Sequence, residues 1–274
     1  MSGDTFLKND EYIIESSLSD RKCQSEISKI VDGLQLSTTD SNYLLSMPNI
    51  CTWFYILGCW LDDADARVGL GYSVAMHCFG IKLLDDIVDD DTPCSHAGLM
   101  TAGTLVCDAA HREMVQFDMI EHFFRYRPGV WTGLWRDQFD LDLMPSERLE
   151  DWLLFAEKRT GRLLDFYAGF LSQHESHKLD EATICETAMR IANIWSVFDD
   201  CKDVEKDRIA GQNRHTNLRL MIERGSLSKA AVFALLQREQ DFIMSVVRRS
   251  PPCLNFQPFL ENVIQRCRNF LDQI

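Results

Sequence analysis

Two long apolar runs, Arg67–Asp90 and Ala182–Lys206, have helical spacing and end on the same acidic pattern. The first closes on Asp85-Asp86-Ile87-Val88-Asp89, the second on Asp199-Asp200-Cys201-Lys202-Asp203. Helical periodicity recurs over Asp20–Leu36, Ile50–Leu61, Thr101–Arg125, Val130–Leu143, Ser146–Ser172, Leu218–Arg224, Ser228–Arg249 and Phe259–Ile274. No run alternates as a strand would. Ser146, with Glu147 and Glu150 close behind it, has the signature of a helix cap. Pro128-Gly129 and Pro251-Pro252 punctuate the pattern. The expectation is an all-α helical bundle of about ten helices, a single domain over residues 1–274, around a central apolar cavity. Ser172–Leu179 is the clearest internal connector. Asp207–His215, charged and containing Gly211, reads as a mobile loop over whatever the aspartates bind.

In a helix Asp85 and Asp89 lie about one turn apart on one face, and so do Asp199 and Asp203. Two such faces aimed at each other across a bundle form a cage of hard oxygen ligands suited to Mg²⁺, with Asp86 and Asp200 as ligands or in support. Mg²⁺ commonly completes its shell with water and substrate phosphate, which points to a diphosphate. Carboxylates are unfavourable at a helix C-terminus, where the dipole is negative. A local conflict of that kind tends to mark function.

Lys202, Lys206 and Arg208 lie within or just after the second cluster, where they could hold phosphate oxygens or simply pair on a helix surface. Arg159-Thr160-Gly161 sits inside a helical pattern, and an interior glycine costs about 1 kcal/mol relative to alanine. Close approach of another helix or a ligand is expected there. Gln138 either reaches into a site or belongs to a solvated face. Met76, Phe79, Gly80 and Ile81 occupy the turns before the first cluster. With Trp53, Phe54, Trp60, Phe166, Tyr167, Phe170 and Trp195 they could wall a deep greasy pocket, although most of these aromatics suit a core. No Walker loop, dinucleotide fingerprint or nucleophile elbow occurs.

The formal charge of −14 argues against nucleic acid as a partner. Ten scattered cysteines without a Cys-x-x-Cys pair read as reduced core thiols, not as zinc ligands or a disulfide framework. With no signal-like start, the expected location is cytoplasmic. Tyr43–Leu61 is apolar but interrupted by Ser46, Pro48, Asn49 and Thr52, so a buried helix after Pro48 fits better than a membrane span.

These residues resemble the all-trans isoprenyl diphosphate synthase superfamily, whose α-bundles hold Mg²⁺ between two aspartate-rich helices. Arg159-Thr160-Gly161 is similar to its Lys-Thr-small element with Arg159 in the lysine's place. Gln138 is similar to its Gly-Gln element, with Asp137 replacing the glycine. Chain-elongating members also carry an early Gly-Lys-x-x-Arg-Pro element and an Arg-Arg pair after the first motif. Here those places read Ser46-Met47-Pro48-Asn49-Ile50-Cys51, without a basic residue, and Thr92-Pro93-Cys94-Ser95-His96-Ala97, without an arginine pair, so a second diphosphate has no obvious site.

Within the superfamily, Lys82–Thr92, Leu45–Pro48, the Gln138-to-Trp152 spacing and Asn217-Leu218 to Arg224-Gly225 most resemble the moenomycin-pathway prenyltransferases. The resemblance implies transfer of a prenyl group from an allylic diphosphate, geranyl or farnesyl, to an amphiphilic phosphoglycerate-type acceptor in phosphoglycolipid biosynthesis. It implies Mg²⁺ as cofactor, with Asp85, Asp89, Asp199, Asp203 and Gln138 catalytic. Arg159, Lys202, Lys206 and Arg208 would bind diphosphate, and Met76, Phe79, Gly80 and Ile81 the prenyl chain. It further implies a homodimer and leaves room for peripheral membrane contact. A terpene cyclase of the same fold and a non-catalytic synthase subunit are the alternatives.

Overall fold

In the computed structural model of the chain, the described residues are 11–45, 51–88, 94–126, 148–209 and 217–274. The side chains of 11–17, 51–54, Val88, Arg159, Lys206, Asp207 and Ile209 stand outside that description. So do Asp89, Gln138, the expected Val130–Leu143 helix, the Ser146 cap and most of the 207–215 segment. As expected for an all-α chain, helices carry the described residues, relieved by one isolated bridge between Leu61 and His177.

The chain gathers into two compact units. The first takes the described residues up to Phe124, with Gln173–Lys178 and Cys253–Asn255; the second takes the rest. In the first, α1 spans Glu11–Leu34, α2 Thr38–Leu45, α3 Cys51–Gly58, α4 Ala64–Val88 and α5 His96–Gln116. A helix α6 runs over 120–126, and the division falls within it. The second unit holds α7 Leu149–Ala156, a π-helical turn Glu157–Gly161, α8 Arg162–Leu171 and α9 Glu181–Lys202. It continues with α10 Val204–Ile209, α11 Leu218–Glu223, α12 Lys229–Arg249 and α13 Gln257–Asp272.

Three expected helices are divided. The Thr101–Arg125 pattern begins earlier, because the Ser95 hydroxyl accepts from the Gly98 N–H and caps α5. It also breaks before α6 at Asp118, whose φ of 55° lies in the left-handed region that Asp tolerates. Ser146–Ser172 is interrupted by the π-turn. Ala182–Lys206 stops at Lys202 and resumes as α10, so Val204–Ile209 is helical where a loop was expected to begin at Asp207.

In the first unit α4 is the buried helix: Leu70, Val74 and Leu83 are wholly enclosed. It crosses α5 at Gly80, where a Cβ would stand 2.4 Å from Cys107 Sγ and 3.1 Å from the Gly103 carbonyl oxygen. Only a residue without a side chain allows that approach. Helix α1 is tied to α5 by an ion pair of Lys22 with the buried Glu113. The Ser172–Leu179 connector is clamped to the α3–α4 turn: Asp62 N–H donates to Ser176 O at 3.0 Å and Lys178 N–H to Trp60 O at 3.0 Å.

In the second unit α9 is the central rod. Ile184, Ala188, Ile191, Ala192, Ile194 and Val197 are completely buried on several of its sides, each large side chain contributing about 1.5–3 kcal/mol by burial. Glu239 of α12 is also fully buried and is satisfied by Arg190, Asn193 and Arg238. The bulky residues Trp60, Phe166, Tyr167 and Phe170 are core. Cys23, Cys59, Cys78, Cys94, Cys201 and Cys267 are buried free thiols, matching the expectation of core cysteines. Among the described residues no helix is long and apolar enough to cross a membrane.

Candidate functional site

Of the first acidic cluster, Asp85 and Asp86 lie in the last turn of α4. Asp86 is buried, and its two carboxylate oxygens accept from the Tyr43 hydroxyl and the Lys82 ammonium. Lys82 also reaches Asp85 Oδ2 at 3.3 Å. Burial disfavours the Lys82 charge, but the bond to Asp86 and the charges of Asp85 and Asp86 outweigh it and hold its pKa above the ordinary lysine value. Helix α2, which carries Tyr43, is pinned a second time: the Ser95 N–H donates to Asp40 Oδ1 at 3.0 Å. One short helix therefore holds the end of α4 and the start of α5.

The second cluster ends α9. Asp203 is the residue just past the helix, and its N–H donates to Asp199 O at 2.9 Å, keeping the two one turn apart. A helix end leaves carbonyls without intrahelical partners, and here the start of α11 supplies them. Asn217 Nδ2 donates to Asp200 O at 2.9 Å, and Arg219 Nη1 to Cys201 O at 3.3 Å. The Asp200 carboxylate turns the same way: Oδ2 accepts from Trp152 Nε1 at 2.8 Å and from the Leu218 N–H at 2.7 Å. The other end of the Asn217 side chain caps α11 by accepting from the Leu220 N–H at 3.1 Å. Asn217→Ala is expected to cost about 1 kcal/mol as a lost helix cap, read as a lower denaturant midpoint.

Beside this turn lies a small recess lined by Trp152, Phe155, Ala156, Thr160, Ser196, Asp199 and Asp200. The π-turn places Thr160 there, and π-turns recur at functional sites. Gly161, in the same turn, meets α9: a Cβ on it would lie 2.7 Å from Met189 Cε. Of the two expectations for that glycine, close approach of a helix is the one seen.

The structure brings Asp85 and Asp86 together on α4, and Asp199, Asp200 and Asp203 together at the end of α9. Of the expected diphosphate ligands, Lys202 is exposed and 3.5 Å from Asp203 Oδ1. Arg208 pairs with Glu205 and Glu223, both at 2.5 Å. Met76, Phe79 and Ile81 are buried on α4 together with Gly80, which faces α5. Tyr43, Lys82, Trp152, Thr160, Ser196 and Asn217 were not assigned roles from sequence. Only Asn217 carried a usable signal, an N-cap residue before an apolar helix.

Among the described residues no three His, Cys, Asp or Glu side chains group as a metal site; Asp89 is not one of those residues. The chemistry of the cluster donors nevertheless fits Mg²⁺, being carboxylate oxygen alone. The neighbouring Cys201 is buried, and burial and the Asp200 charge push its thiol up to about 12.

The chain matches solved structures of prenyl diphosphate synthases over nearly its whole length. A protein from Marinomonas sp. MED121 assigned as a farnesyl-diphosphate synthase is 17% identical with a TM-score of 0.64, covering 97% of this chain and 100% of that one. A geranyltransferase from Helicobacter pylori 26695 is 12% identical with a TM-score of 0.62, covering 97% and 99%. A geranyltransferase from Legionella pneumophila is 12% identical with a TM-score of 0.60, covering 96% and 98%. No family profile and no curated protein sequence matches the chain. The likeness establishes the all-α isoprenoid synthase fold.

Proposed function

We propose that the chain is a Mg²⁺-dependent prenyltransferase that ionises an allylic diphosphate and passes the prenyl group to a non-diphosphate acceptor. What carries this reading is that α4 and α9, in a fold shared with prenyl diphosphate synthases, each end on an acidic cluster. Asp85 and Asp89 of the first cluster, and Asp199 and Asp203 of the second, would hold the metal, with Asp86 and Asp200 in support. Bound Mg²⁺ would supply the positive charge that stabilises diphosphate as a leaving group. Arg159, Lys202, Lys206 and Arg208 would bind the diphosphate oxygens. Met76, Phe79 and Ile81, with Gly80 shaping their helix, would keep water from the allylic cation. Gln138 would assist removal of the last proton.

The acceptor class follows from the missing basic elements at Ser46–Cys51 and Thr92–Ala97, which leave isopentenyl diphosphate without ligands. A phosphoglycerate-type acceptor, as in phosphoglycolipid biosynthesis, fits the resemblance of Lys82–Thr92. The test is mass spectrometry of products from the purified chain, Mg²⁺ and geranyl or farnesyl diphosphate, with and without a phosphoglycerate acceptor. A prenylated phosphoglycerate formed only with acceptor is the expected result. Terpene release without acceptor would instead identify a cyclase, and no Mg²⁺-dependent diphosphate release would leave the non-catalytic subunit.

A further inference from the structure

We infer that Trp152 and Tyr43 are positioning residues, each fixing the acidic helix end of its own unit by donating to the second carboxylate of the cluster, Asp200 or Asp86. This rests on the metal-dependent reading above. Trp152 is 1% exposed, and beyond its packing the indole brings one N–H, which Asp200 accepts. The same Asp200 oxygen takes the Leu218 N–H, so two donors fix the orientation of that half-buried carboxylate. Successive helix positions are turned by about 100°. Asp199 and Asp200 both line the recess with Thr160 and Ser196, but Asp199 leaves the helix in a different direction from its neighbour. The last turn of a helix frays unless something outside it takes up its polar groups. A hard cation tolerates little error in the oxygens around it.

The first unit solves the same problem with different residues. The Tyr43 hydroxyl and the Lys82 ammonium occupy the two oxygens of Asp86, whose side chain is 5% exposed. In both units the aromatic donor comes from an eight-residue helix, α2 or α7. Two units that share no residues thus hold the second aspartate of the pattern through an aromatic hydrogen-bond donor. Asp86 and Asp200 act through these bonds, and Asp85 and Asp199 through the metal.

The experiment is Mn²⁺ binding in the presence of inorganic pyrophosphate, read from the free-Mn²⁺ paramagnetic signal, with thermal melting of the same samples. Tyr43→Phe keeps the ring and removes the donor, and Trp152→Phe removes the donor while leaving a smaller aromatic ring in its place. Each is expected to raise the Mn²⁺ Kd by about tenfold, the scale of lost support behind a metal ligand. Asp200→Asn keeps an oxygen for both donors and is expected to bind Mn²⁺ far better than Asp199→Asn, which loses binding. A lowered melting temperature with unchanged Kd in Trp152→Phe and Tyr43→Phe overturns the inference, because that is the signature of packing alone. Equal losses in Asp200→Asn and Asp199→Asn overturn it as well, by making Asp200 a ligand. A wild-type chain that binds Mn²⁺ but releases no diphosphate from allylic substrates removes the prenyltransferase reading, and the ordering of the variants still decides this one. A wild-type chain that binds no Mn²⁺ overturns both.

Discussion

Asp85→Ala and Asp199→Ala are each expected to lower Mg²⁺-dependent diphosphate release by about 10³-fold or more, the scale on which a fixed electrostatic contact to a developing charge acts. The helical circular dichroism should stay as in wild type. Both side chains are partly exposed at helix ends, where the dipole already disfavours a carboxylate. Removing one leaves the bonds of Asp86 and Asp200 in place. Activity near wild type in either variant would remove the metal from the mechanism.

Gly80→Leu should act on the fold instead. A Cβ alone would enter the Cys107 sulfur and press on the Gly103 carbonyl, so α4 and α5 must separate. Overpacking of this kind costs about 1–3 kcal/mol, occasionally more, and a melting temperature lowered by several degrees is the expected reading. Gly80→Ala made together with Cys107→Ala should lose less than the two single changes added, because the pair shares one contact. A Gly80→Leu protein as stable as wild type would mean that the crossing is looser than described. The family resemblance assigns Gly80 and Ile81 alike to the prenyl chain. With Gly80 turned into a helix crossing, donor length is properly tested at Ile81.

The helices were legible because their signals are local. Apolar spacing marked α4, α9, α12 and α13 to within a few residues at most boundaries, and Ser228 before α12 behaves as an N-cap, accepting from the Ala231 N–H. The breaks were not legible, since they depend on single backbone conformations. Asp118 in the left-handed region and the π-turn at Glu157–Gly161 have no periodic signature. The same division holds at the acidic clusters. Their spacing was visible in the sequence, whereas the aromatic donors come from residues about 40 to 50 positions away, Tyr43 for Asp86 and Trp152 for Asp200. Nothing in a window around either cluster could name those partners. Sequence left Arg208 either as a phosphate ligand or as a surface ion pair, and its two partners, Glu205 and Glu223, are visible only in the structure.

The capping of α9 by Asn217 and Arg219 also sets an order in time. During synthesis the aspartates of the second cluster emerge before the residues that take up their carbonyls and the Asp200 side chain. Until Asn217–Arg219 exist, the end of α9 is an ordinary fraying terminus with low local stability. A chain stopped short of Asn217 would carry every carboxylate of the pattern and still lack the fixed turn. Amide hydrogen exchange at Asp199–Asp203 should therefore report on α11 as much as on α9, the two protecting and opening as one cooperative element.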